Sequence, residues 1–354
     1  MRNVEVIVVG GGPAGSSAAA RLKAAGADVI ILDKERFPRH KLCAGWITPQ
    51  VMTDLQLEVN DYPHGFLSFR RLHFHVRGPS VALPCVQHSI RRFEFDAWLL
   101  GRSGAEVAQH TVRDIRTNGG YYEIDERFRC RYLIGAGGTS CPVRRSLFGE
   151  ELQRTRALQT VTLELEFPWD WRDADCHLWF FEHGLPGYSW YVPKASGWLN
   201  VGVGGMATRL KRLGENIRQH WSYLAAKLQR QFGIDVPLEP AGYSYYVRAF
   251  GEPMRIGNGF LTGDSAGLAT RDLCEGIGPA IRSGQQAADA ILTGAEYTLD
   301  GVAGSSLGGG LISHCMDWAF TRGAGRSSAP KQPMAGDAHG LNSSSPSRYK
   351  DQRR

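Results

Sequence analysis

No two of the seven cysteines (Cys43, Cys85, Cys130, Cys141, Cys176, Cys274 and Cys315) stand in C-x-x-C spacing, and their number is odd. That pattern favours a reducing compartment and argues against zinc or iron–sulfur sites. Nowhere does an apolar run approach the roughly 18 residues that a membrane span needs. The first strand pattern begins at Val4, which leaves no room for a signal peptide and makes a cytoplasmic location the expectation. Basic surface is also scarce. Of the net charge of +6, four charges fall in the last stretch, where Arg326, Lys331, Arg348, Lys350, Arg353 and Arg354 face only Asp337 and Asp351. The body is near neutral and lacks the basic face with interleaved aromatics that nucleic acid requires, so no nucleic-acid partner is expected.

What the sequence does hold begins almost at once. Glu5 to Val9 is a β-branched run that reads as a buried parallel strand, and Gly10-Gly11-Gly12-Pro13-Ala14-Gly15 follows it directly. Gly10, Gly12 and Gly15 occupy the G-x-G-x-x-G positions, where they allow a sharp turn, close approach of a diphosphate, and tight helix–strand packing. A helix starting near Pro13 would aim its free N–H groups at that diphosphate. Gly26 ends the helix, Val29 to Leu32 forms a second strand, and Asp33 at its carboxyl end stands where a ribose would be bound. The later Gly135-Ala136-Gly137-Gly138 lacks the third glycine, so one nucleotide site is expected rather than two.

With 354 residues the chain can bury a large core. Lys34 to Trp46 reads as a polar loop returning toward the nucleotide. Leu67 to Val86 alternates like antiparallel strands; His73 and His75 would share a face, but no third ligand lies nearby in sequence, so exposed strand histidines are expected there rather than a metal site. Arg91 to Leu100 reads as a helix start, and strands resume over 107–115, 121–124 and 128–134. Further strands are expected at 158–167 and 176–181, then an aromatic-rich hairpin from Tyr188 through Gly197 to Val203. Leu210, Leu213, Ile217, Trp221, Leu224 and Leu228 recur at three- and four-residue steps and predict one amphipathic helix over 209–232. Gly259 to Gly267 reads as a strand running into a tight turn, and Glu275-Gly276-Ile277-Gly278-Pro279 opens a long helix. The expected organisation is a discontinuous nucleotide domain (1–65, 88–155 and 252–298), a substrate domain (66–87 and 156–251) and a disordered tail (299–354).

The N-terminal fingerprint, the β-rich middle and the late Gly263-Asp264 turn resemble the flavoprotein fold of p-hydroxybenzoate hydroxylase: an α/β, Rossmann-like FAD-binding domain interleaved with an antiparallel sheet. Within that fold, Lys41-Leu42-Cys43-Ala44-Gly45 and Tyr188-x-Trp190-x-Val192-Pro193-Lys194 look most like the geranylgeranyl reductase family of FAD-dependent oxidoreductases. The resemblance covers about residues 4 to 297. It implies that Gly10, Gly12, Pro13, Ala14 and Gly15 cradle the FAD pyrophosphate and that Asp33 and Lys34 meet the adenosine side. By the same resemblance Cys43, Ala44 and Gly45 line the flavin, Arg92 serves the phosphate side, and backbone near Val112 meets adenine. Gly263 and Asp264 would bind the ribityl or pyrophosphate region, and Gly276 and Ile277 would reach the flavin ring, where a helix N-terminus favours the charge that collects on reduction. Two departures stand out. The family carries Phe where Val192 stands, and related hydroxylases place Asp-Gly where this chain has Gly137-Gly138.

The resemblance implies reduction of carbon–carbon double bonds in a prenyl or other apolar substrate, by hydride transfer from reduced flavin. The external reductant would be NAD(P)H or a reduced electron-carrier protein. Catalytic candidates are Tyr188 and Trp190 bordering the pocket, with Tyr188 or Cys43 supplying the proton; Lys194 is read as an exposed hairpin lysine ahead of a head-group ligand. The basic tail is a candidate for weak contact with an anionic membrane surface. A flavin monooxygenase or halogenase is the nearest rival, since halogenases have W-x-W-x-I-P where this chain has Tyr188, Trp190, Val192 and Pro193. A serine hydrolase is the rival of another class, because Gly263-Asp264-Ser265-Ala266-Gly267 satisfies G-x-S-x-G.

Overall fold

A computed structural model describes residues 1–149, 156–236, 239–249, 253–299, 301–302 and 304–306. The fingerprint folds as its residues dictate: β1 (Arg2–Val9), α1 (Pro13–Ala24) and β2 (Val29–Asp33), with Val6 to Val9 in parallel register against Val29 to Leu32. The chain then leaves this sheet for β3 (Trp46–Ile47), α2 (Pro49–Leu55), β4 (Leu67–Val76) and β5 (Ser80–Ser89). It returns through α3 (Arg92–Arg102), β6 (Glu106–Gln109), β7 (Ile115–Asn118), β8 (Tyr121–Ile124), β9 (Phe128–Gly135) and α4 (Pro142–Leu147). A second excursion builds β10 (Gln159–Pro168), β11 (Cys176–Phe180), β12 (Gly187–Lys194), β13 (Trp198–Met206), α5 (Ala207–Leu213), α6 (Ile217–Phe232) and β14 (Ala241–Tyr246). The last elements are β15 (Arg255–Ile256), β16 (Gly259–Leu261) and α7 (Ile277–Thr293).

Two sheets result. The first runs β15-β16-β9-β1-β2-β6, parallel from β16 to β6, with the β7–β8 hairpin attached to β9. β2 and the carboxyl-terminal ends of β1 and β9 are buried on both faces, as the centre of a sheet covered on both sides must be. α1 and α7 lie against each other so closely that a Cβ on Gly284 would sit 2.1 Å from the Ala14 carbonyl oxygen. The second sheet runs β14-β10-β13-β12-β11-β4-β5-β3 and is antiparallel except where β11 pairs β4. One of its faces is the apolar core formed by Leu163, Leu199, Val201 and Val203 under Leu210, Trp221, Leu224 and Leu228 of the covering helices.

Three expectations change. The single helix over 209–232 is two, because Gly214 ends α5 in the left-handed conformation and the Asn216 side chain caps α6 by accepting the Arg218 N–H at 3.0 Å. Trp46-Ile47, placed by sequence in the nucleotide domain, belongs to the second sheet. Finally, the packed chain runs past 298. Val302 is only 2% exposed, its carbonyl and that of Leu299 accept from the Arg248 guanidinium, and the Ser306 N–H donates to Asp272. The remainder of the expected tail, from 307 on, lies outside the described residues.

Candidate functional site

A cavity of about 560 Å3 opens between the carboxyl ends of β1, β2 and β9 and the near face of the second sheet. Its first end is made of backbone. Gly10 turns at φ +110°, and a Cβ there would lie 2.4 Å from the Ala136 carbonyl oxygen. Gly12 caps α1 without a side chain, leaving the first N–H groups of the helix free to meet an anion. Asp33 accepts the Gly11 N–H at 2.6 Å and the Glu35 N–H at 2.9 Å, which fixes its carboxylate at the cavity wall. Beyond it, Asp96 gathers two arginines: Arg92 makes paired bonds of 2.6 and 2.7 Å, and Arg39 approaches to 3.2 Å. The Arg39 Nη1 is buried with no hydrogen-bond partner, beside a helix start built for negative charge.

α7 closes the opposite side. Asp264 stands 3.5 Å from where a Gly276 Cβ would be and accepts from the Tyr243 hydroxyl at 3.3 Å, while Lys41 lies 3.1 Å over the Tyr243 ring. Glu275 takes the Gly278 N–H at 2.7 Å, and burial pushes its carboxyl up to about 7.

Of the sequence-predicted residues, Gly10, Gly12, Pro13, Ala14, Asp33, Lys34, Cys43, Ala44, Arg92, Val112, Gly263, Asp264, Gly276 and Ile277 all line this cavity, as do Tyr188 and Trp190. Gly15 and Gly45 are not among its lining residues; they are packing glycines. A Cβ on Gly15 would lie 1.9 Å from the Gly10 oxygen, and one on Gly45 would lie 2.1 Å from the Ile90 oxygen and 2.4 Å from the Lys194 amine. Lys194 itself is a correction. It is fully buried, donating to the carbonyls of Ala44 at 2.7 Å and Ile90 at 2.5 Å with Glu166 at 3.4 Å, so it pins the 43–45 loop instead of waving in solvent.

The second end of the cavity is a chamber walled by side chains. Along β12, residues 188, 190, 192 and 194 share the inward face, and β13 opposes them with Gly204 and Gly202. A Cβ on Gly202 would fall 2.1 Å from the Trp190 ring, so the indole lies flat on a strip of bare strand. Its N–H donates to Asn200 at 2.7 Å, and the Asn200 amide donates to the Cys43 carbonyl at 3.3 Å. Tyr188 gives its hydroxyl hydrogen to the Leu273 carbonyl, and burial raises its pKa well above the ordinary phenol value. A proton so committed is poorly placed to serve a substrate.

Glu164 was missed at the sequence level. On β10 it pairs with Gly202, lines the chamber at 2% exposure, and burial pushes its carboxyl up to about 7 against the pull of Lys41 and Lys194. Alternation could have found it, since Leu163 packs under the helices while Thr162 and Glu164 face the cavity. The histidine reading also changes in space. β4 pairs β11 in parallel, bringing His177 opposite His73, and the three imidazoles stack with His75 Nε2 at 3.1 Å from His177 Nδ1. His73 and His75 are half-buried and His177 is buried; His73 pairs with Asp175 and His177 with Asp173, and no group able to hold a metal occurs among the described residues. Ser265 is fully buried and donates to the Gly138 carbonyl at 3.2 Å, so the G-x-S-x-G stretch presents no nucleophile to the cavity.

Comparison with known proteins fits this geometry. The family described as FAD dependent oxidoreductase matches residues 5–93. A menaquinone reductase of Mycolicibacterium smegmatis is 28% identical over 319 residues, covering 82% of this chain and 76% of that one. A geranylgeranyl diphosphate reductase of Rhodobacter capsulatus is 26% identical, covering 81% and 75%. An uncharacterized protein of Methanosarcina barkeri reaches 30% identity over 311 residues, covering 82% and 75%. The chain belongs to the geranylgeranyl reductase family of FAD-dependent oxidoreductases. The fold of this family member agrees: a geranylgeranyl bacteriochlorophyll reductase-like protein of Thermoplasma acidophilum superposes with a TM-score of 0.69 at 20% identity, over 83% of this chain and 80% of that one. The flavin-dependent brominase Bmp2 shares the same architecture, with a TM-score of 0.65 at 18% identity over 84% and 81%. FAD fits the reductase-family cavity on physical grounds. The bare helix start and the uncommitted Arg39 nitrogen match a diphosphate, the Asp33 carboxylate matches a ribose, and the α7 N-terminus matches the electron-rich edge of a reduced ring.

Proposed function

We propose that this FAD-dependent oxidoreductase reduces a carbon–carbon double bond in a prenyl or similarly apolar substrate. The single observation carrying the reading is continuity: the chamber of Leu178, Tyr188, Trp190, Val192, Leu273 and Trp46 opens into the same cavity as the diphosphate cradle. FAD, when bound there, supplies two-electron transfer. The chain's own residues do the rest. The apolar wall exchanges water for a hydrocarbon chain, which is worth about 25 cal/mol per Å2 of apolar surface removed from water. The indole of Trp190, held by Asn200, sets the depth to which such a chain can enter. Lys194 fixes Ala44 and Asn200 fixes Cys43, so the wall facing the flavin does not move with the substrate.

Relatives named for menaquinone and geranylgeranyl diphosphate support an apolar substrate with isoprenoid units. The electron source on this reading is NAD(P)H or a reduced carrier protein. Purified FAD-loaded protein, reduced anaerobically with dithionite and mixed with geranylgeranyl diphosphate, is expected to return to the oxidised spectrum and yield a product heavier by two hydrogens. Productive reoxidation by oxygen alone, with hydroxylated or halogenated product, would replace this reading with the monooxygenase or halogenase one. Repeating the reduction with NADPH in place of dithionite tests the donor.

A further inference from the structure

Two buried carboxyls face the cavity with a proton to give near neutral pH, and their surroundings separate them. Glu275 is occupied: its oxygen holds the Gly278 N–H, so it caps α7. Among the described residues Glu164 accepts no backbone N–H; its hydrogen-bond partner is the Asn200 side chain. It stands in the middle of β10, in one row with Gly202 and Trp190 across three strands, on the strip the indole covers. The missing side chain of Gly202 is what leaves the carboxyl and the ring open to the same space. Around it are Lys41 from the flavin-side loop, Lys194 from β12, Glu166 further along its own strand, and the Asn200 amide. Burial, with Glu166 on its side, outweighs the two cations and the Asn200 hydrogen bond that favour the carboxylate, so the carboxyl is pushed up to about 7. By contrast Tyr188 has its hydrogen committed to Leu273.

We infer that Glu164 is the resident acid of the chamber, holding a proton inside it and releasing that proton to the substrate. This rests on the alkene-reduction reading. In that reaction FAD, bound in its reduced form, would supply the hydride to one alkene carbon and so be oxidised. The Glu164 O–H bond breaks, and its proton forms the second new C–H bond as the π electrons move to that carbon. The carboxylate left behind is reprotonated from water through the cavity mouth. Trp190 and Asn200 are positioning residues here: the Trp190–Asn200–Cys43 chain of hydrogen bonds fixes the wall against which the carboxyl stands.

The test uses full-length FAD-loaded protein as wild type, Glu164→Gln and Glu164→Asp. Flavin absorbance and FAD affinity are expected to be unchanged in both variants, which controls for folding. Infrared difference spectra between pH 5 and 9 are expected to show protonated-carboxyl absorption in wild type that disappears with a midpoint near 7; Glu164→Gln removes the Glu164 component and leaves that of Glu275. Anaerobic reoxidation of dithionite-reduced protein by geranylgeranyl diphosphate should slow about a hundredfold in Glu164→Gln, with the fall in rate above neutral pH abolished and partly restored in Glu164→Asp. A wild type that turns over but whose carboxyl absorption is the same as that of Glu164→Gln, or a Gln variant with unchanged rate and pH profile, overturns the Glu164 assignment and leaves the reductase reading standing. A wild type that geranylgeranyl diphosphate does not reoxidise overturns the reductase reading, and the donor role with it, whatever the carboxyl absorption shows.

Discussion

At the diphosphate end of the cavity glycine makes room for backbone, whereas at the chamber end it makes room for a ring. Gly10 and Gly15 let β1, the Ala136 carbonyl and the start of α1 pack within distances a Cβ would fill. Gly202 does nothing of that kind; its neighbour is the Trp190 indole. The first arrangement is general to dinucleotide folds, because any diphosphate needs free N–H groups and close backbone. The second is particular, because what lies on the strip decides which substrate the chamber accepts. One cavity therefore has an end that specifies the cofactor class and an end that specifies the chemistry, and substitutions should separate them.

The largest effect is expected at Gly10→Ala. The new methyl must displace a carbonyl oxygen at 2.4 Å in a conformation L-residues rarely adopt, so FAD affinity should fall at least about a thousandfold. Fluorescence titration with FAD, after circular dichroism has shown a folded protein, measures it; tight binding retained in the variant would remove the backbone cradle from the argument. Gly202→Ala should do the reverse. It pushes the indole off its strip, so turnover of geranylgeranyl diphosphate should drop about a hundredfold while FAD affinity stays within about twofold. Parallel losses in both assays would show that the two ends are not separable.

Lys194→Met sits where the ends meet. The substitution strips the donor from two buried carbonyls and leaves Glu166 short of a partner, so unfolding stability should fall by about 3 kcal/mol in urea, with FAD loosened as the 43–45 loop relaxes. An unchanged midpoint would mean that water replaces the amine.

The difference between the ends also explains what could be read in advance. Strand, glycines, helix, strand and acid follow one another within Glu5 to Asp33, so local order alone exposes the cradle, and Asp33 bonds Gly11 as that order requires. The chamber is assembled from β10, β12 and β13, and its residues meet only through register. Glu164 next to Gly202 is a pairing across strands 38 positions apart, and His177 beside His73 is another across 104. Lys194 shows the cost of reading one residue alone: as a hairpin lysine it suggests solvent, yet it continues the inward face of Tyr188, Trp190 and Val192, and Ala44 and Ile90 cover it. Gly214 and Asn216 carried a visible stop-and-start signal that the apolar stripe on either side masked.

The smallest effect sharpens the comparison most finely, because each end carries a buried carboxyl. Asp33 accepts two backbone N–H groups, while Glu164 among the described residues has only the Asn200 side chain as hydrogen-bond partner and is pushed up to about 7. A carboxyl whose folded pKa is raised contributes stability that is complete below its unfolded pKa of about 4.5 and is lost as the pH rises through 7. Wild type should therefore weaken between pH 5 and pH 8 relative to Glu164→Gln, which stays neutral throughout, and the gap between them should move in the variant's favour by up to about 3 kcal/mol. Urea unfolding of both proteins at the two pH values measures it. A gap that does not change with pH would mean that water or the neighbouring lysines already solvate the carboxylate, and the chamber would then be wetter and more polar than a prenyl chain requires.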